Sequence, residues 1–172
     1  MTEQTETSVR VRPATAGDLA ELGVLAAQLV RLHHAWDAAR FLRAGESIEQ
    51  GYARYLQGEM ANDASVVLVA EIAGQSALMG YAFGRREPRN WELLLDESAV
   101  LHDLFVDERA RRAGVGEALV RAFVERMRAR GATRVLLHTA AQNAGGQALF
   151  ARLGFRVTML EMMLIPGELA PG

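Results

Sequence analysis

The sequence predicts a single-domain α/β fold, and three observations carry that expectation. Segments with the apolar period of helices alternate with short apolar runs of strand length, in the order β-α-α-β-β-β-α-β-α-β. At 172 residues the chain is long enough for one sizeable core and short for two. Half of its residues are apolar and 23% are charged, an ordinary globular balance.

The elements follow in order. Residues 1–8 are polar and are expected to form a disordered tail, with one domain over 9–172. "VRVRPA" alternates as a short strand. "TAGDLAELGVLAAQLVRLHHAW" has helical periodicity, with Thr15 or Asp18 available as its cap. "DAARFLRAGE" joins it to a second helix, "SIEQGYARYLQGEM". "SVVLVAEI" and "ALMGYAFGRRE" read as strands around the turn "AGQS", followed by the irregular loop "EPRNWELLLDES". "AVLHDLFV" is expected to be a buried strand interrupted by two polar residues. In the long helix after it, Leu119, Phe123 and Met127 form one apolar stripe beside Val120 and Val124. Arginines 126, 128 and 130 suit the negative end of that helix, and Gly131 its stop. "TRVLLHT" is a further strand, "NAGGQALFARLGF" a short helix closed by Gly154, and "FRVTMLEMMLI" the expected last strand. Alternating methionines there suit a core strand and equally one paired across a homodimer.

Composition excludes several function classes. A net charge of −2 argues against nucleic acid or an anionic membrane as the main partner. No apolar run approaches the ~20 residues of a membrane span, and "MTEQTETSVR" lacks a signal-peptide core, so a cytoplasmic location is expected. Cysteine is absent, which removes disulfides and thiol nucleophiles. Histidines 33, 34, 102 and 138 show no ligand spacing, so no metal is expected. Arginine supplies all 19 basic residues, which lowers the functional information of any one of them.

"DERARRAGVGEALVRAF" puts arginines beside two glycines at the start of a helix. The first N–H groups of a helix lack internal partners and its dipole favours negative charge there, so a phosphate would fit. A plain tight turn with solvated arginines would look the same. A dinucleotide motif needs a third glycine where Leu119 stands, and a P-loop needs a lysine that this chain lacks.

The spacing Arg111-x-x-Gly114-x-Gly116 directly after "HDLFVDE" resembles the acetyl-CoA motif of the GNAT superfamily of N-acetyltransferases. "NAGGQALFARLGF", one helix and one strand further on, resembles the second signature of that family. The resemblance covers about residues 9 to 165. It implies the GNAT fold, a central mixed and largely antiparallel β-sheet flanked by helices, and acetyl-CoA as co-substrate. It implies main-chain contacts from Leu104, Phe105 and Val106 to the pantetheine arm. Arg111 and the backbone of Arg112, Ala113, Gly114, Val115, Gly116 and Glu117 would then hold the pyrophosphate. Asn143 would touch the cofactor, and it also reads as a plain helix N-cap. Phe150 stands where many members carry a tyrosine that protonates the departing thiolate, which leaves a water, Tyr52, Tyr55 or Tyr81 to supply that proton.

The implied activity is transfer of acetyl from acetyl-CoA to a primary amine of a small molecule or peptide by direct attack, with no acyl-enzyme. Phe150 keeps a non-catalytic acetyl-CoA sensing domain open as an alternative, and a longer acyl group is equally compatible. A thiol of pKa about 8.5 is a fair leaving group, whereas an amine near 10.4 is almost wholly protonated at neutral pH. Freeing that amine costs roughly 4.6 kcal/mol, so the base matters more than the acid. "HDLFV" resembles the "EDFFV" strand of polyamine N-acetyltransferases, and His102 holds the place of their basic glutamate. His138 matches a basic glutamate of ribosomal-protein N-terminal acetyltransferases. Each histidine reads equally as a satisfied core residue, and Asp103 reads more readily as a structural acceptor than as a catalyst. For the acceptor, the resemblance points to the first helix pair and the "EPRNW" loop. His33, His34, Trp36, Asp37, Glu87 and Trp91 are available there, with His34, Asp37, Glu87 and Trp91 as the candidates for a cationic amine.

Overall fold

A computed structural model describes residues 8–170, so the expected tail lies, apart from Ser8, outside the described residues. Strand β1 (Val9–Pro13) leads through a 3-10 turn (Ala16–Asp18) into α1 (Leu19–Trp36) and α2 (Ile48–Met60). Then come β2 (Ser65–Ile72), β3 (Gly80–Glu87), β4 (Ser98–Val106), α3 (Val115–Ala129), β5 (Val135–Leu137) and α4 (Ala144–Arg152). The five strands form one mixed sheet in the order β1-β2-β3-β4-β5. The first three pairings are antiparallel. The fourth, which α3 connects, is parallel. Among the described residues no helix is long and apolar enough to cross a membrane.

Strand periodicity explains why helices cover both faces of this sheet. Along β2, Val66, Leu68, Ala70 and Ile72 face one way, into a core with Leu119, Phe123 and Met127 of α3. Val67 and Val69 face the other way, into a second core with Leu22, Leu25 and Leu56 of α1 and α2. The expected stripe on α3 is therefore buried as read, and Gly131 and Gly154 follow α3 and α4 with left-handed backbones.

Thr15 and Asp18 start α1 together. Asp18 Oδ2 accepts the Thr15 N–H at 2.7 Å and the Thr15 hydroxyl at 2.8 Å. The Arg12 guanidinium donates to both Asp18 oxygens at 2.7 and 2.8 Å, which holds that carboxyl well below its usual range.

One expected element does not form. Residues 155–165 pair with no strand among the described residues, and the helix-to-strand order ends at α4. β5 is also shorter than "TRVLLHT" suggested. A strand exists only where a partner edge lies beside it, and residues 156–165 run exposed along the surface.

Candidate active site

The site begins with an irregularity in β4. Gly84 of β3 pairs with Leu101 and its neighbour Phe83 pairs with Asp103, so His102 is an extra residue, a β-bulge. The bulge sends two consecutive side chains toward the α1–α2 side. The His102 ring stacks on Phe83 with centroids 5.5 Å apart. Asp103 accepts the hydroxyls of Tyr52 at 2.6 Å and Tyr81 at 3.1 Å. His102 is therefore not the enclosed core residue that a strand buried on both faces would hold. About a third of its side chain is exposed, and its Nε2 lies 2.8 Å from a Glu87 carboxylate oxygen. Glu87 in turn lies beside Arg85, which bridges to Glu59.

Past the bulge β4 and β5 part. Their pairing consists of Ala99–Val135, Val100–Leu136 and Leu101–Leu137. The main chain of Leu104, Phe105 and Val106 thus faces no β5 partner. A cavity of about 250 Å³ opens at this fork, lined by His33, Tyr52, His102, Asp103, Leu104, His138, Asn143 and Phe150 among others. Burial raises the pKa of the Asp103 carboxyl, against the two tyrosine hydrogen bonds that lower it. Burial and the neighbouring Asp103 push the Tyr52 hydroxyl well above its ordinary value.

The glycine turn follows directly. Buried Asp107 accepts the Arg109 N–H at 2.9 Å and its guanidinium at 2.8 and 2.9 Å, fixing the exit from β4. Arg112 has φ 67° and Gly114 has φ 80°, both left-handed. Ala118 N–H donates to Gly114 C=O at 2.9 Å as the first bond of α3. The N–H groups of Val115, Gly116 and Glu117 precede that ladder and carry the positive end of the helix dipole. A Cβ on Gly114 would meet open space, whereas one on Gly116 would lie 3.1 Å from Leu149 and 3.5 Å from Val106. Gly114 thus serves the backbone turn and Gly116 the packing of α3 against α4.

The structure gathers some of the sequence candidates and leaves others apart. His102, His138, Asp103, Leu104, Asn143 and Phe150 all line the one cavity. Asn143 accepts the Gly146 N–H at 3.0 Å as the cap of α4 and donates to the Thr139 hydroxyl at 3.1 Å. Phe150 packs edge-on against Phe155. Glu87 reaches the site through His102 rather than through an acceptor. His34 bonds the Phe41 carbonyl, Asp37 caps the turn at Ala39 and Arg40, and Trp91 lies 76% exposed against Arg89. These three stand outside the cavity wall. Tyr52 and the residues Arg40, Phe41 and Leu42 line it without having been singled out as acceptor contacts. The sequence marks Tyr52 only as one of three tyrosines, and nothing in "RFL" signals a wall.

Known proteins bear on this geometry. The family model for the acetyltransferase (GNAT) family matches residues 30–155. No curated protein matches the chain. Among solved structures, a tetramutant protein from Bacillus halodurans is 22% identical with a TM-score of 0.78, covering 91% of this chain and 99% of that one. An aminoglycoside N-acetyltransferase in complex with CoA is 16% identical with a TM-score of 0.73, covering 96% and 98%. Glucosamine-6-phosphate N-acetyltransferase from Arabidopsis thaliana is 16% identical with a TM-score of 0.64, covering 92% and 98%. With the matched model spanning most of the sequence and the fold shared, this chain belongs to the GNAT family of acetyltransferases.

Proposed function

We propose that the protein transfers acetyl from acetyl-CoA to the primary amine of a small molecule, with His102 as the general base. The observation that carries this reading is His102 itself, raised on a bulge into the fork between β4 and β5 and hydrogen-bonded to Glu87. A carboxylate at that distance holds the proton on Nε2, which leaves the Nδ1 lone pair to take a proton from an incoming amine. The amine nitrogen attacks the thioester carbon, the developing oxyanion meets the Val106 N–H, which strand alternation turns away from β3, and the C–S bond breaks to release CoA thiolate. The start of α3 suits the pyrophosphate. A cavity of about 250 Å³ favours a small acceptor over a folded one.

No tyrosine takes over the part that Phe150 lacks. Tyr81 is fully buried and Tyr55 packs on Phe83 outside the cavity. Tyr52 donates its hydroxyl hydrogen bond to Asp103, and its raised pKa makes proton transfer to a thiolate of about 8.5 uphill. The thiolate leaves unprotonated or takes its proton from water.

The test is His102→Gln, assayed by release of free thiol with a panel of amines. Turnover is expected to fall on the order of 10²-fold, the usual worth of a general base, with acetyl-CoA affinity nearly unchanged. The defect is expected to shrink with an acceptor of low basicity, which arrives already deprotonated. Full turnover in His102→Gln would transfer the base role to His138 or to water.

A further inference from the structure

A row of three charged side chains stands behind His102, two from β3 and one from α2. Phe83, Arg85 and Glu87 alternate along β3 and so share the face toward which the bulge turns His102. Phe83 supports the ring by stacking. Glu87 Oε1 meets His102 Nε2 at 2.8 Å, and the same oxygen accepts the Arg85 Nε–H at 3.3 Å. Arg85 Nη1 donates at 2.9 Å to Glu59, whose second carboxylate oxygen accepts the Ser65 hydroxyl. Glu59 is thereby tied to the start of β2 and only 11% exposed, a fixed anchor for the guanidinium.

One oxygen with two donors divides its charge between them. A carboxylate facing the imidazole alone favours the imidazolium. Arg85 on that oxygen offsets the attraction, and its own positive charge opposes a second one on the ring. Glu59 in turn moderates Arg85. Other polar groups around the ring are Asp103 beside it on β4, Tyr52 of α2, His33 of α1, Arg40 of the linker after α1 and His138 past β5. Tyr55 of α2 packs on the far side of this array, against Phe83. Among the described residues, none of these bonds the Glu87 carboxylate or the His102 ring.

We propose that Arg85 is a positioning residue that acts through Glu87 on the proton affinity of the His102 ring, and so sets the pH range in which the base works. The second half of this rests on His102 as the base. A base must shed its own proton before it takes one from the amine. Turnover therefore rises with pH as the ring becomes neutral, and a fuller negative charge behind the ring moves that rise to higher pH.

The test measures turnover against pH for the wild type, Arg85→Met, Arg85→Lys and Glu59→Gln. An NMR titration of each runs alongside, with the His102 ring signals identified by their loss in His102→Gln. In Arg85→Met the ring is expected to hold its proton roughly two- to fivefold more tightly, the scale of a partly exposed ion pair. Its NMR midpoint and its rise in turnover both move to higher pH, with the plateau at high pH within a few-fold of wild type. Arg85→Lys is expected to restore most of the shift. Glu59→Gln moves both midpoints the other way, because Arg85 then lacks its counter-charge. An unmoved NMR midpoint in Arg85→Met overturns the proposal, even if the melting temperature or the plateau falls, and so do shifts of one sign in Arg85→Met and Glu59→Gln. NMR midpoints that move as expected while turnover does not follow them would support the coupling and overturn the base role of His102.

Discussion

His102 and Asp103 are neighbours in sequence, and a regular strand would send their side chains to opposite faces. The bulge turns both toward α1 and α2, where they take different work. Asp103 is held by two tyrosine hydroxyls under the cavity, while His102 reaches Glu87 at the rim. Sequence reasoning identified the two polar interruptions of an apolar strand, because such residues are costly there without a partner or a purpose. It did not supply the bulge, since an extra residue shows only against the register of the facing strand. Nor did it join Glu87 to His102, which lie fifteen positions apart and meet through that register. The pairing has a kinetic consequence. Glu87→Gln keeps an oxygen that can accept from Nε2 and is expected to stay within a few-fold of wild type. Glu87→Leu leaves the ring free to turn, and kcat is expected to drop roughly 10-fold or more with the KM for acetyl-CoA unchanged. Equal losses in the two variants would show that Glu87 acts by charge or packing rather than by orienting the ring.

Helix α3 combines two glycines that look alike in sequence and differ in structure. Gly114 has the left-handed backbone that begins the helix, and the space beside it is open. Gly116 sits under Leu149 and Val106. Gly114→Val therefore forces a β-branched residue into a disfavoured backbone and places methyl groups beside the helix start, where the cofactor's phosphates are proposed to lie. Its expected effect is a loss of acetyl-CoA affinity of more than about tenfold, read by calorimetric titration, with a strain cost of roughly 1–3 kcal/mol. Gly116→Val presses on α4 instead and is expected to lower the melting temperature without a clear step in affinity. Reversed outcomes would remove the turn from the cofactor site. The periodicity of α3 and the capping role of Asn143 were legible because both depend on neighbours in sequence. The last strand was not, because an apolar alternation forms a strand only beside a free edge, and pairing is not a local property.

The whole molecule is two cores sharing one sheet, so the link between α1 and the sheet edge matters to both. Arg12 makes that link from β1, bonding Asp18 at the start of α1 and Glu71 of β2 at 2.6 Å. The alternation of β1 was visible in the sequence, but an arginine serving two carboxylates in different elements was not. The Asp18 carboxyl is held below its ordinary pKa, first by Arg12 and then by Thr15, so its ionised form favours the folded state. That contribution is complete above the unfolded value of about 3.9 and is lost as pH falls below it. Asp107, lowered by Arg109, has the same sign. Asp103 has the opposite sign: burial raises its pKa, so protonation on acidification relieves a cost and offsets part of the loss. Asp18→Asn isolates the first of these terms. At about pH 7 it is expected to destabilise the protein by roughly 1–3 kcal/mol, the worth of hydrogen bonds to a charged group. For a chain of this size that is a fall of several degrees in melting temperature. The gap from wild type should then narrow steadily as pH is lowered from about 4 to about 2.5, because in that window the unfolded wild type takes up a proton at Asp18 that the folded, ion-paired carboxyl does not. Thermal unfolding followed by circular dichroism at both ends of the range measures it, and a gap that stays constant would mean that Asp18 supports α1 by shape rather than by charge.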